Sequence, residues 1–559
     1  MITNVIQILS REVKGLHETA YMIGVLTFAS TLLALVRDRL FAHIFGAGLT
    51  LDIYYAAFRI PDMLFISIGS LMSAFVLIPA LAEAKKNKNE ISLIQTVTIT
   101  FGSFLVLSSA VLMFCAPAIL TFLYPSLFER GGGDELVLLT RILLLQPILL
   151  GLSNVASSVV QFYGRYTLFA FAPILYSIGV ILGGIIFYPI FGTVGLGYGV
   201  LLGALLHFLI QAPFFYAHGL SKKLSFVSVS EIVHIAFTSV PRTISLACGH
   251  AALLAMTAYA STVEVGAITL FMFAFNLQSA PLSIVGASYS VAAFPTLSVL
   301  YKEQNMQKYI SLMTAAARHI LFWSLPITAL CIILRAHIVR LILGSGAFSW
   351  SDTRVAAAVF AMFVLSLAAQ GLILLFVRGY YAAEKTLIPL TVSACTAFSA
   401  FLIGYLLSHV YSNTGGLTHH FVHSILRLSD TDNASIAMLA LGFSIASILG
   451  ATVLVMAFSY LMGSVRKEIM RALREGFVGA VMAGAGSYGT LQVIAPYISM
   501  DVFWGVLAQT VIAGTVGTVF AASVLYLIGN VEVREVYRAL HSKMLWKVPV
   551  SGADEPQMV

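Results

Sequence analysis

The sequence predicts an all-α polytopic membrane protein: about fourteen transmembrane helices, arranged as two six-helix lobes with a helix pair appended at the C-terminal end. Three observations carry that prediction. Of 559 residues, 59% are hydrophobic and only 10% charged, whereas soluble domains run near roughly a quarter charged, so this chain cannot coat a water-exposed globule. Its apolar runs reach the ~20 residues a helix needs to cross a bilayer, and they lack the apolar-out, polar-in alternation of β-barrel strands. Landmarks in the first half also recur in the second at a nearly constant spacing.

Taken in order, spans are expected near 20–45, 53–81, 95–120, 136–162, 168–189 and 193–217. A second set lies near 233–260, 266–298, 314–334, 354–378, 387–409 and 435–463, and a final pair near 477–498 and 503–528. The first run follows Arg11, Glu12, Lys14 and Glu18 and carries no small-residue cleavage pattern, so it reads as a retained helix. Loop charge gives a direction. With the N-terminus cytoplasmic, the loops on that side hold Lys85, Lys86 and Lys88; Arg165; Lys222 and Lys223; Lys302 and Lys308; Lys385; and Arg466, Lys467, Arg471 and Arg474. The tail adds Arg534, Arg538, Lys543 and Lys547. The opposite loops are poorer, with Arg130, Arg340 and Arg427 the main exceptions. The pattern is positive-inside, N-in and C-in. It also accounts for the net charge of +7 without nucleic acid as a partner.

The duplication rests on three landmarks. Phe58-Arg59 resembles Phe275-Asn276 (275 − 58 = 217), Ile78-Pro79 resembles Phe294-Pro295 (295 − 79 = 216), and Phe162-Tyr163 resembles Tyr380-Tyr381 (381 − 163 = 218). Each half holds an even number of spans, so both start on the same side, as parallel transporter repeats do, with a substrate path between them. The expected organisation is a cytoplasmic segment 1–19, an N-lobe 20–219, and a C-lobe 220–464 with an outer insertion 410–434. The helix pair 465–530 and a cytoplasmic tail 531–559 follow.

Ionisable residues inside spans cost a few kcal/mol or more at the bilayer centre and therefore face a cavity or a partner. The main cluster is Arg37-Asp38-Arg39, late in the first span, with Asp52, Arg59 and Asp62 at the start of the second and the break Phe45-Gly46-Ala47-Gly48 between them. Two readings stand. The aspartates neutralise neighbouring arginines, or Arg37 and Arg59 present cationic forks to an anionic substrate while Asp38 and Asp52 orient or gate them. The matching stretch of the second half, Phe273 to Gln278, offers the amides Asn276 and Gln278 and no charge cluster; hydrogen bonding between helices is the favoured role there. Arg242, after Pro241, is expected to snorkel to lipid headgroups, and His250 to be a packed, hydrogen-bonded histidine. His419, His420 and His423 form HHxxH in the outer insertion, with no local carboxylate or cysteine to complete a metal site. Cys115, Cys248, Cys331 and Cys395 fall in apolar segments at no motif spacing. No Walker or dinucleotide loop appears, so neither a cofactor nor ATP-driven transport within this chain is expected.

Arg37-Asp38, Phe45-Gly46-Ala47-Gly48, Asp52 and Ala57-Phe58-Arg59-Ile60-Pro61, in this order, resemble the signature of the MurJ/MviN family of lipid II flippases. Phe171-Ala172-Pro173, Phe294 to Ser298, and Gly344-Ser345-Gly346-Ala347-Phe348 extend the resemblance over most of the chain. It implies a MATE-like fold, two lobes around a central cavity, and a helix pair whose groove holds the lipid tail. It also implies a function in peptidoglycan biosynthesis at the bacterial cytoplasmic membrane. The cargo would be a polyprenyl-pyrophosphate-linked glycan, lipid II, moved from the cytoplasmic to the outer leaflet. Membrane lipids, and a monovalent ion or the membrane potential for coupling, complete the implied partners; it is a transporter and not an enzyme. Carried over residue by residue, Arg37, Asp38, Asp52 and Arg59 stand at the family's charged cavity positions, whereas Thr31, Phe65, Ser70 and Asn276 stand where the family has further charge. Alternatives are a flippase for another polyprenyl-linked glycan, a MATE-like multidrug antiporter, which would favour an acidic cavity, and a scaffold that kept the fold without the site.

Overall fold

The computed structural model describes residues 16–217 apart from 70 and 73, residues 229–413, and residues 434–538 apart from 501, 536 and 537. Among these residues there are helices and no strands. The first half runs α1 (Leu16–Phe45), α2 (Leu49–Leu64), α3 (Ala74–Lys86), α4 (Glu90–Leu123), α5 (Gly133–Leu143), α6 (Gln146–Phe162), α7 (Tyr166–Leu182) and α8 (Thr193–Leu209). The second half runs α9 (Val229–Val263), α10 (Ala267–Leu282), α11 (Ser288–Lys302), α12 (Met306–Ile333), α13 (Arg335–Ile342), α14 (Trp350–Val364), α15 (Leu367–Ala382), α16 (Leu387–Asn413) and α17 (Ala434–Leu461). The pair α18 (Arg466–Ile494) and α19 (Phe503–Ile528) follows and packs on α12.

Each of the fourteen predicted segments holds a helix. Among the described residues ten qualify as spans by length and composition, or eleven if α14 and α15, bent by 44° at their junction, are taken as one. The segments of α1, of α2 with α3, and of α8 are outside that group; α2 carries Asp52, Arg59 and Asp62 within 16 residues, and α8 has 17. The surface suits hydrocarbon: Phe104, Leu107, Val111, Phe114 and Phe122 of α4 are all exposed, Phe114 to 85%, an apolar face of the kind that meets lipid. The three histidines of the outer insertion, Ser70, and most of the expected tail lie outside the described residues.

Local chemistry explains the element ends. The chain leaves α1 at Gly46 with φ +61°, a left-handed conformation that costs a side-chain-bearing residue free energy. A capping box of Ser349 and Asp352 starts α14. In α2 and α10, Pro61 and Pro281 remove a helical donor near the C-terminal end, and a π-helical turn follows each, Phe65–Gly69 and Ser283–Ala287. These paired bends lie 218 residues apart (283 − 65 = 218), so the repeated order of elements extends to its irregularities.

Three buried apolar clusters show how the halves meet. One, including Leu77, Ile94, Phe101 and Val159, belongs wholly to the first half. Another, including Leu297, Tyr309, Leu375 and Phe458, belongs to the second half and reaches α18. The largest joins both, through Phe41, Tyr54, Leu120, Phe271, Phe273 and Phe360. The halves thus share a core at the end where α1 stops and α10 starts. At the opposite end, bearing Lys85, Lys86, Lys302 and Lys385, each half has its own core.

Candidate functional site

Between the two separate cores lies a cavity of about 910 Å³. Its walls are mainly apolar, with polar groups from both halves: Glu83 on α3, Arg242, Ser245 and His250 on α9, and Arg378 and Tyr381 on α15. The Arg378 Nη1 donates to the Ala287 carbonyl at 3.3 Å and to the Ser290 hydroxyl, both at or just past the π-turn that ends α10. Ser245 donates to Ser393 at 2.8 Å. Deeper in, His250 comes within electrostatic reach of Asp62 and Arg59. A large concave space between two repeats, apolar apart from a few converging polar groups, is where a transporter carries its cargo.

At the shared-core end the halves are latched. The Asp52 carboxylate, 0% exposed, accepts from the Gly266 amide at 2.6 Å, the Thr269 amide at 2.8 Å and the Thr269 hydroxyl at 2.7 Å. It therefore caps α10 from the other half, neutralising orphan amides at a helix N-terminus. Gly266 takes φ +87°, and a Cβ there would sit 2.5 Å from the Ala47 carbonyl oxygen, so the two loops can touch only through a glycine. Asp38 carries Arg37, with Nε at 2.9 Å and Nη2 at 2.7 Å, and its other oxygen accepts from Asn276 Nδ2 at 3.2 Å. Arg39 donates to the Leu341 carbonyl, Arg130 to the Ser261 carbonyl at 3.0 Å, Ala347 N to the His43 carbonyl at 2.9 Å, and Tyr124 pairs with Thr257 at 3.0 Å. Eight hydrogen bonds of the latch thus cross between the halves, with a longer ninth from Arg39 to the Ile342 carbonyl at 3.4 Å.

The expected cationic forks do not reach the cavity wall. Arg37 is paired with Asp38. Arg59, 7% exposed, donates from Nε to the Tyr55 carbonyl at 3.1 Å and lies 3.6 Å from Asp62. Asn276 bonds between helices, as favoured from the sequence. Thr31 bonds its own helix at the Thr27 carbonyl, and Phe65 packs at the π-turn beside Gly69. Arg242, expected at the lipid headgroups, lines the cavity instead. The sequence reading also passed over Arg378, although an arginine inside an apolar run was itself the signal. Two of the exceptions to the loop-charge pattern have structural work: Arg130 ties the halves together, and Arg340 lies over the Trp350 ring at 5.5 Å.

A family model described as lipid II flippase MurJ matches residues 41–508. The chain belongs to the MurJ family. It is 24% identical over 535 residues to the probable lipid II flippase MurJ of Vibrio cholerae, covering 92% of this chain and 97% of that one. It is 26% identical over 404 residues to the probable lipid II flippase MurJ of Buchnera aphidicola from Acyrthosiphon pisum, covering 70% and 78%. Its fold matches a solved lipid II flippase MurJ in an inward closed conformation with a TM-score of 0.69 at 19% identity, over 90% of this chain and 99% of that one. An inward-facing multidrug resistance MATE family transporter matches at 0.61 and 14% identity, over 80% and 96%. The MATE-like fold is thus shared with multidrug transporters, while the family model assigns the chain to MurJ. As a MurJ family member it is a multi-pass protein of the bacterial inner membrane, a transporter and not an enzyme.

Proposed function

We propose that this MurJ family member flips lipid II, the undecaprenyl-pyrophosphate-linked peptidoglycan precursor, from the cytoplasmic to the outer leaflet by alternating access. The observation that carries the reading is the cavity itself: held shut at one end by a shared core and latch, and flanked at the other by two independent cores. In this reading all fourteen helical segments span the membrane, with N-in and C-in orientation. The lysine-rich end then faces the cytoplasm, and the lobes 20–219 and 220–464 rock about the latch. Arg37, Asp38, Asp52, Arg59 and Asn276 act in gating. Eight hydrogen bonds at a net ~1 kcal/mol each fall in the range of the ~5.5 kcal/mol that inverts a two-state population from 1:99 to 99:1. Headgroup binding and a coupling source, a monovalent ion or the membrane potential, can therefore open such a latch without unfolding either lobe.

The deciding test is complementation. Expressed in a bacterium depleted of its own lipid II flippase, the wild-type chain is expected to restore growth. Failure to do so despite correct membrane insertion rejects lipid II as the cargo.

A further inference from the structure

Arg242 and Arg378 stand on different helices of the second half, yet both line the cavity, and their charges repel one another. Two like charges in a largely apolar wall are costly by themselves and favourable once an anion joins them. Arg378 is braced by neutral groups, the Ala287 carbonyl and the Ser290 hydroxyl, and among the described residues no carboxylate forms an ion pair with it. This contrasts with Arg37 and Arg59, whose nearest charges are the aspartates Asp38 and Asp62. On the first-half wall the charged lining residue is Glu83, which repels an anion towards the arginines.

We infer that Arg242 and Arg378 form a pyrophosphate subsite on the second-half wall of the cavity, where two guanidiniums hold the diphosphate bridge of a lipid-linked glycan. The inference rests on the flippase reading and adds to it which residues hold the anion. Guanidinium suits the task because its planar fork matches phosphate oxygens and keeps its charge when desolvated. The Tyr381 hydroxyl lines the same cavity and provides a further donor.

The test is binding to the purified full chain in detergent, with farnesyl pyrophosphate, farnesol and inorganic pyrophosphate as probes. Arg242→Gln and Arg378→Gln are each expected to weaken farnesyl pyrophosphate binding by about tenfold, and the double variant by about a hundredfold, with farnesol unchanged. Arg378→Lys, which carries a cation but lacks the fork, should fall between wild type and Arg378→Gln. A double variant that melts like wild type and binds like wild type overturns the subsite; so does equal weakening towards farnesol, which marks a structural role. Because Arg378 also braces Ser290, Arg242→Gln decides if the double variant fails to fold: unchanged pyrophosphate affinity there is sufficient to reject the proposal. Farnesyl pyrophosphate binding about tenfold tighter than inorganic pyrophosphate assigns the subsite to a lipid-linked anion, and equal binding rejects that assignment. Failed complementation alongside arginine-dependent pyrophosphate binding would reject the cargo while leaving the subsite standing.

Discussion

In the first half, Arg37, Asp38, Arg59 and Asp62 pair with one another beside the lobe interface; in the second half, Arg242 and Arg378 face the cavity. Both halves repeat the same bends, down to a π-turn after a proline-bearing helix, so the duplication preserved backbone geometry and let the charges diverge. The latch shows why divergence was necessary. Asp52 and Thr269, 217 residues apart, meet directly, and that separation is the repeat spacing itself. Equivalent positions near a pseudo-two-fold axis contact each other, and two carboxylates meeting there would repel. Only an unlike pair, an acceptor on one side and donors on the other, can close the interface.

The largest effect should follow from removing that acceptor. Asp52→Ala leaves the Gly266 and Thr269 amides without their partner in a buried interface, at roughly 3 kcal/mol or more, which is about a hundredfold in the balance between latched and unlatched forms. Labelling by an impermeant maleimide of a cysteine placed at Ala274, fully buried here, should rise sharply in a cysteine-free background, and complementation should fail. Asp52→Asn keeps one acceptor oxygen and should fall between. If Asp52→Ala labels like its parent, the latch carries little of the closure, and the contrast between the halves loses its meaning for gating.

Much of this architecture was legible in the sequence because hydropathy and loop charge are local, additive signals. The spans and the Phe45–Gly48 break depend on neighbouring residues, and the repeat shows as short local motifs recurring at one offset. The site was less legible, for physical reasons. Asp52 caps α10 through backbone amides 214 and 217 residues away, and no side-chain pattern advertises a backbone donor. Arg242 and Arg378 differ from snorkelling arginines only in which way their helices are turned, which packing decides and the sequence of one helix does not. The densest cluster of charge within spans falls in the first half, where that density reflects pairing and not availability.

A sharper test of that last point is a double-mutant cycle. Arg37→Gln leaves Asp38 with its cross-half partner Asn276, and Asp38→Asn removes the charge on which both contacts rest. If the pair is a closed unit, the coupling should be about 1–3 kcal/mol in the melting of the full chain, and the double variant should be milder than either single one. Arg37→Ala is expected to abolish transport with membrane insertion intact. Additive effects with no coupling would mean that Arg37 acts on something other than Asp38, and would return it to the candidates for contact with the cargo.

The smallest effect concerns the appended pair, which packs mainly on the second half and touches the first where Arg39 lies over the Phe503 ring at 5.3 Å. Beyond the end of α19, Glu532 is 4% exposed and meets Arg318 of α12 at 2.5 Å from Nη2 and 2.7 Å from Nε, while His319 lies 3.7 Å from Glu535. Burial alone pushes the Glu532 carboxyl up, but the hydrogen bonds and charge of Arg318 more than offset it and hold it below its ordinary value of 4.5. A carboxylate held down in the folded state stabilises the fold fully above that ordinary value and loses its contribution as pH falls through the lowered one. Arg318 is 29% exposed, so solvent screening keeps the contribution small, near ~1 kcal/mol or less. Arg318→Gln should therefore speed amide exchange at residues 529–535 relative to wild type at neutral pH, with the difference shrinking as the medium is made acid enough to protonate Glu532. Its pyrophosphate binding should be unchanged, since the contact lies apart from the cavity lining. A difference that persists undiminished in acid would mean that Arg318 braces this segment by packing alone. A loss of pyrophosphate binding would instead tie the helix pair to the cavity, and make the second half one functional unit from Arg242 through Glu532.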